Sequence, residues 1–174
     1  MLPSDVIERV TTYIQHQAGK SRDSVIDLVR TSQLRYLDVI SAIDDAAAAK
    51  KPAPEEWSVR ELLRHVILAE QDVTALVHGL SRGAIPPPTI TGRRGIGAMI
   101  EDDARPFSAL VGQLRDVNGA MIRAIEELPD APDLEMKAPH PFFGPLNCME
   151  WAVFQRVHDE DHVQHAQKIL AATA

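Results

Sequence analysis

Trp151-Ala-Val-Phe-Gln-Arg-Val-His158-Asp-Glu-Asp-His162-Val-Gln-His165-Ala-Gln-Lys-Ile169 is the stretch from which the fold can be read. Wound as a helix, Trp151, Gln155, His158, His162, His165 and Ile169 recur at separations of 4, 3, 4, 3 and 4 residues, which places them on one face. Trp151 and Ile169 want burial, yet three imidazoles lie between them. A buried imidazole must satisfy two ring nitrogens, so three on one core-facing stripe need a partner of another kind. A divalent metal ion supplies it, because histidines four apart present their nitrogens from one side of a helix.

Working outward from that helix, the chain is helical almost throughout. Apolar residues spaced for an amphipathic helix run from Arg105-Pro106 to about Leu128, with Phe107, Leu110, Leu114, Met121 and Ile125 inward and the proline in the first turn. Another such helix runs to about Arg82 from a well-marked start. Ser58 with Glu61 three residues on is a capping box, and Trp57 with Leu62 fits a hydrophobic staple. His65 lies on its apolar face beside Leu62 and Val66. A further helix is expected from Arg22 to Ala48, broken by Lys50-Lys51-Pro52-Ala53-Pro54. Ser4 and Asp5 suit the cap of a short first helix to about Gln17. Two stretches read as irregular, Gly83 to about Ala104 and Pro129 to Pro145. No alternating strand pattern bounded by hairpin turns appears.

The expectation is an all-α four-helix bundle occupying 1–174 as one domain, with residues 1–20 as a short N-terminal helical extension. The Gly83–Ala104 link is long enough to carry the chain from one end of the bundle to the other. It therefore predicts a crossover, with the second and third main helices parallel.

A length of 174 residues, 45% hydrophobic and 25% charged, is that of one ordinary globular domain. The formal charge of −7 argues against non-specific nucleic-acid binding, which needs a basic surface. No apolar run is long enough for a membrane span. Met1-Leu2-Pro3-Ser4-Asp5 does not open a secretory signal, so a cytoplasmic location is expected. Cys148 is the single cysteine, which excludes an internal disulfide and any Cys-rich zinc module and reads as a small packed residue.

Three neutral imidazoles suit zinc, nickel or iron(II), and the lack of a fourth Cys ligand leaves positions for water or substrate. His158 and His162 supply two ligands, with His65 from a separate helix as the third; His162 with His165 is a geometric competitor that spacing does not remove. His16, His78 and His140 read as surface or hydrogen-bonded histidines. His158-Asp-Glu-Asp-His162 is not a zinc-peptidase helix, because Asp159 stands where that motif needs its glutamate. A di-iron carboxylate bundle also fails: Asp159 to His162 gives one imperfect copy of its Glu-x-x-His element, and Glu61 to His65 has the wrong spacing.

Glu55-Glu56-Trp57-Ser58-Val59-Arg60-Glu61-Leu62-Leu63-Arg64-His65 resembles the W-S-x-x-E-x-x-x-H segment of the DinB-like superfamily of metal-binding four-helix bundles. His140-Pro-Phe-Phe-Gly-Pro-Leu146, followed by Glu150-Trp151 and His158-x-x-x-His162, resembles that family's C-terminal segment. The resemblance covers roughly residues 22 to 172. It implies a crossover bundle, a homodimer, and a divalent ion held by His65, His158 and His162, with His165 an extra residue one turn along. Asp161 would then sit beside the ligand pair, as its hydrogen-bonding support or as a solvated carboxylate.

Some relatives in that superfamily are thiol-dependent transferases or isomerases, in which bacillithiol or mycothiol is activated at the metal; others carry only a damage-inducible label. The resemblance thus implies a metal-dependent enzyme, a thiol S-transferase or a hydrolase. Its substrate would be a small molecule, and its nucleophile water or a low-molecular-weight thiol at the ion. Residues 83–104 and 139–146, with Phe142 or Phe143, are the expected pocket walls. The contrasting expectation is a non-catalytic, metal-stabilised dimer that acts as a binding or stress-related scaffold.

Overall fold

The structure is a computed structural model that describes residues 3–87 and 104–174. In chain order it comprises α1 (Ser4–Ala18), α2 (Arg22–Ile40), α3 (Asp45–Ala49), α4 (Val59–Leu80), α5 (Phe107–Glu126), β1 (Ala138–His140), β2 (Gly144–Leu146) and α6 (Cys148–Thr173). Helices α2, α4, α5 and α6 form the four-helix bundle.

The helix directions follow from contacts between their ends. Arg60 near the start of α4 donates to the Arg105 carbonyl just before α5 (2.7 Å), and Arg82 just past α4 donates to the Glu127 carbonyl just past α5 (3.1 Å). The second and third main helices are therefore parallel, as the length of their connection predicts. Residues 88–103 of that connection, including Gly92, Gly95 and Gly97, lie outside the described residues. Arg22 at the start of α2 donates to the Glu126 carbonyl (3.1 Å), and Arg115 reaches Ser41 at the other end (3.4 Å), so α2 and α5 are antiparallel.

Two apolar clusters fill the bundle. One gathers Val25 and Val29 of α2, Leu76 and Leu80 of α4, Met121 and Ile125 of α5, and Trp151 and Val153 of α6, with Ile14 of α1 packed against them. The other gathers Tyr36 and Ile40, Leu62 and Val66, Phe107 and Leu114, and Val163 and Ile169. Between them the helices contribute a buried polar layer: Ser32, Gln33, Glu70, Asn118, Gln155 and Asp159. Gln33 Nε2 donates to Glu70 Oε1 (2.7 Å). The Asn118 amide is satisfied with its nitrogen toward Glu70 Oε2 (2.8 Å) and the Leu114 carbonyl (3.1 Å). Ser32 and Gln155 donate to the two oxygens of Asp159 (2.8 and 2.7 Å). Every carboxylate oxygen in the layer thus has a donor, which is what burial of such groups requires. Burial, and then the Asp159 charge, push the Glu70 carboxyl well above its usual range. Burial likewise raises Asp159, to about 7.

Three local expectations need correction. The Arg22–Ala48 helix is two helices, because Asp44 caps a new start: its carboxylate accepts from Ala47 N (2.8 Å). The next residue, Asp45, ties α3 to the start of α5 at the surface, accepting from Phe107 N (2.8 Å) and pairing with Arg60. The Pro129–Pro145 stretch is not wholly irregular. Residues 138–140 pair antiparallel with 144–146, in the register His140 opposite Gly144. Strands of three residues are too short to show alternation, and Gly144, at φ 75°, takes the left-handed conformation that the return strand needs. Finally, Ser4 and Asp5 lie inside the first turn of α1, whose N-cap position is Pro3 without a side-chain cap.

Candidate metal centre

Two capping boxes set the helices that carry the histidines. Ser58 Oγ accepts from Glu61 N (3.2 Å) while Glu61 Oε2 accepts from Ser58 N (2.8 Å), fixing where α4 begins and which way His65 faces. Asn147 and Glu150 do the same for α6, at 3.0 and 2.8 Å. Sequence reading placed the first of these boxes but not the second.

Helices α4 and α6 run antiparallel and bring three imidazoles to one point. His162 Nε2 lies 3.0 Å from His158 Nε2, which lies 3.3 Å from His65 Nε2. One ring nitrogen from each of His65, His158 and His162 lies within 4.8 Å of the other two. His65 and His162 are each 8% exposed, and His158 is half-buried.

This crowding has a chemical consequence. A neutral imidazole nitrogen either donates one hydrogen or accepts with one lone pair, so His158 Nε2 can bond to only one of its two neighbours. A cation among the nitrogens accommodates all three lone pairs together. Zinc–nitrogen bonds of about 2.0–2.1 Å at a tetrahedral centre place nitrogens roughly 3.3 Å apart, so the observed spacing fits the donor set of such an ion. Burial favours the neutral, ligating form. Desolvation first, then His165, lowers His65 to about 4; desolvation, then His65 and His165, lowers His162 to about 3. His158 is held well below its usual value by burial and by His162, His65 and His140.

The outer support of the cluster is thin. The Nδ1 atoms of His158 and His162 are sealed from solvent and have no hydrogen-bond partner among the described residues. With Nε2 directed at a shared centre, Nδ1 carries the proton, and a carboxylate or carbonyl would ordinarily accept it. Asp161 comes only to 3.8 Å from His162 Nδ1, and its side chain is 79% exposed, so it behaves mainly as a solvated carboxylate. Asp159 is committed to Ser32 on α2, which disposes of the peptidase-like reading on geometric grounds.

His165 lies outside the cluster. Its ring stacks on Trp57 at 6.2 Å and 18°, while Trp57 also meets the His65 ring at 5.1 Å. Trp57 and His165 therefore wall one side of the site. His16 and His78 are exposed, as expected. Cys148 is buried, and burial pushes its thiol up, so it has the character of a packed residue.

His140 is hydrogen-bonded, one of the two states expected of it, and it is also packed among aromatic rings. It is half-buried at the end of β1 and packs on Phe154 (ring separation 4.4 Å), Phe143 (4.7 Å) and Trp151 (5.4 Å). Burial lowers it to about 4. The one sequence signal for this was the clustering of Phe142, Phe143, Trp151 and Phe154 around it, which spacing alone could not turn into contact. The hairpin thus stands at the end of the histidine row opposite Trp57, because Phe154 also contacts the His158 ring at 5.8 Å.

A family model described as the DinB superfamily matches residues 28–166. An uncharacterised protein of Bacillus subtilis (strain 168), YuaE, is 22% identical over 156 residues, covering 83% of this chain and 96% of its own length. Among solved structures, TT2238, described as a four-helix bundle protein, superposes with a TM-score of 0.63 at 18% identity, covering 85% of this chain and 99% of its own. YfiT from Bacillus subtilis, described as a probable metal-dependent hydrolase with an unusual four-helix bundle topology, gives a TM-score of 0.61 at 14% identity, covering 85% of each chain. At these identities the structural likeness establishes the fold.

Proposed function

The chain belongs to the DinB superfamily, and from that premise we propose that it is a metal-dependent enzyme, best read as a hydrolase, whose divalent ion is held by His65, His158 and His162. The observation that carries the reading is the convergence of three burial-neutralised imidazole nitrogens at 3.0 and 3.3 Å, with no fourth side chain in the group among the described residues. Three protein ligands leave coordination positions free, the pattern of catalytic rather than structural zinc sites. When bound, such an ion supplies Lewis acidity toward a substrate oxygen and activates a nucleophile at neutral pH.

The chain's own residues supply the setting. His65 and His162 hold their nitrogens neutral through burial, so that ligation does not compete with protonation near neutral pH. Trp57 and His165 bound the site on one side, and Phe154 with the 138–146 hairpin bounds it on the other. The hydrolase reading takes its direction from the description of YfiT. A homodimer forms part of the proposal, and light scattering on purified protein tests it.

Elemental analysis of protein purified under metal-replete conditions, alongside His158→Ala, tests the centre. Near-stoichiometric zinc, nickel or iron in wild type and its loss in the variant is the expected result. Equal, negligible metal in both overturns the proposal. Ester and amide substrates assayed with and without a low-molecular-weight thiol then separate the chemistries. A rate that requires both thiol and metal would replace the hydrolase reading with a thiol transferase.

A further inference from the structure

His140 is held in one tautomer and one orientation. Its Nδ1 accepts from two backbone amides of the hairpin turn, Phe142 N and Phe143 N, both at 3.2 Å. An Nδ1 that accepts carries no hydrogen, so in the neutral ring the proton sits on Nε2. The ring cannot swing freely, because it stacks on Phe143 at 14° and packs on Phe154 and Trp151. Nε2 has no hydrogen-bond partner among the described residues, yet it is not among the unpartnered polar atoms sealed from solvent. It is a preorganised donor that faces outward from the hairpin's hydrogen bonds.

Its place in the fold suggests what it serves. Phe154 lies one turn before His158 on α6 and touches both rings, 4.4 Å from His140 and 5.8 Å from His158. His140 itself stands outside the group of three convergent histidines. It therefore borders the cluster through the shared Phe154 ring without being one of the three.

We propose that His140 is the outer hydrogen-bond donor of this site, its Nε2–H binding the acceptor atom of an anionic ligand seated at the ion. The inference rests on the metal-centre reading above. It assigns the β1–β2 hairpin a function: the two turn amides fix the tautomer, and the aromatic rings fix the aim. A ligand that reaches the ion would meet a donor whose tautomer and ring orientation are already fixed, so no reorganisation of His140 is required on binding.

Azide is the probe, titrated into cobalt(II)-loaded protein and followed in the visible spectrum. His140→Asn keeps a short side-chain oxygen that can accept from the turn amides, but it removes the distal N–H. The variant is expected to hold cobalt as wild type does and to bind azide about tenfold more weakly, the size of one hydrogen bond to a charged acceptor. Equal azide affinity in the two proteins overturns the inference. Failure of wild type to take up cobalt, or equal uptake by His65→Ala, overturns the metal-centre reading instead. A second measurement needs no variant: nitrogen-15 spectra of zinc-loaded wild type should show His140 protonated at Nε2, with that proton shifting when azide is added. A ring protonated at Nδ1, or an Nε2 proton indifferent to azide, refutes the assignment.

Discussion

Replacing His162 with glutamine should make the metal-free protein markedly more tolerant of mild acid relative to wild type, by an amount that follows from burial of the ring. In the unfolded chain this histidine titrates near 6.5, whereas in the fold it stays neutral down to about 3. Between those values the unfolded chain binds the extra proton, so stability falls as pH falls from 6.5 toward the folded value. The slope is about 1.4 kcal/mol per pH unit, which amounts to about 2 kcal/mol by pH 5. His65, depressed to about 4, and His158 act in the same sense. The wild-type profile alone is uninformative, because Asp159 and Glu70 oppose it. Their carboxyls are raised in the fold, so they favour the folded state as pH falls from their folded values toward their unfolded ones. The decisive quantity is therefore a difference of differences. Urea unfolding of chelator-treated wild type and His162→Gln at pH 7.5 and pH 5 should show the variant gaining about 2 kcal/mol on wild type as pH drops, a sizeable share of a typical ~5–15 kcal/mol stability. Parallel profiles for the two proteins would mean that the imidazole is not held neutral by the fold, and the argument for a preformed ligand set would fall with it.

Glu70→Gln should flatten the pH dependence in the opposite direction. The carboxyl loses stability for the fold as pH rises from its unfolded value through its raised folded one, and the amide has no proton to lose. Denaturation midpoints at pH 8 should be equal to or above wild type, and a large fall there would show that the ionised carboxylate is needed by Gln33 and Asn118. Ser58→Ala removes one half of the capping box at the start of α4 and should cost about 1 kcal/mol in urea unfolding, with unchanged stability counting against that box. Added zinc or nickel should raise the melting temperature of wild type in a concentration-dependent way and leave His65→Ala unmoved, because only an intact site binds the folded state selectively. An equal rise in both proteins would place the metal elsewhere.

Much of the bundle was legible because helical periodicity and capping are local. The Ser58–Glu61 box marks the start of α4 from four residues, and the histidine stripe of α6 follows from spacings of three and four. The parallel course of α4 and α5 was readable from the length of their connection. Where reading failed, the deciding partner was distant in sequence or the element was too short for a period. The expected second helix divides at the Asp44 cap, beside which Asp45 bonds to the distant Phe107 N and Arg60. The three-residue strands of the hairpin show no alternation.

The candidate site divides along the same line. The sequence by itself determined that His158 and His162 share a face one turn apart and that His65 lies on an apolar face, because a helix repeats every 3.6 residues whatever surrounds it. Only tertiary packing decided that the three Nε2 atoms meet and that His165 turns to Trp57 instead. It also decided that Asp159 faces Ser32, and that His140, a loop histidine in the sequence, has its proton placed by two amides and its ring by three aromatic neighbours. The phase of a helix is written along one segment, but the distance between side chains on different segments is set by how every helix packs against the rest.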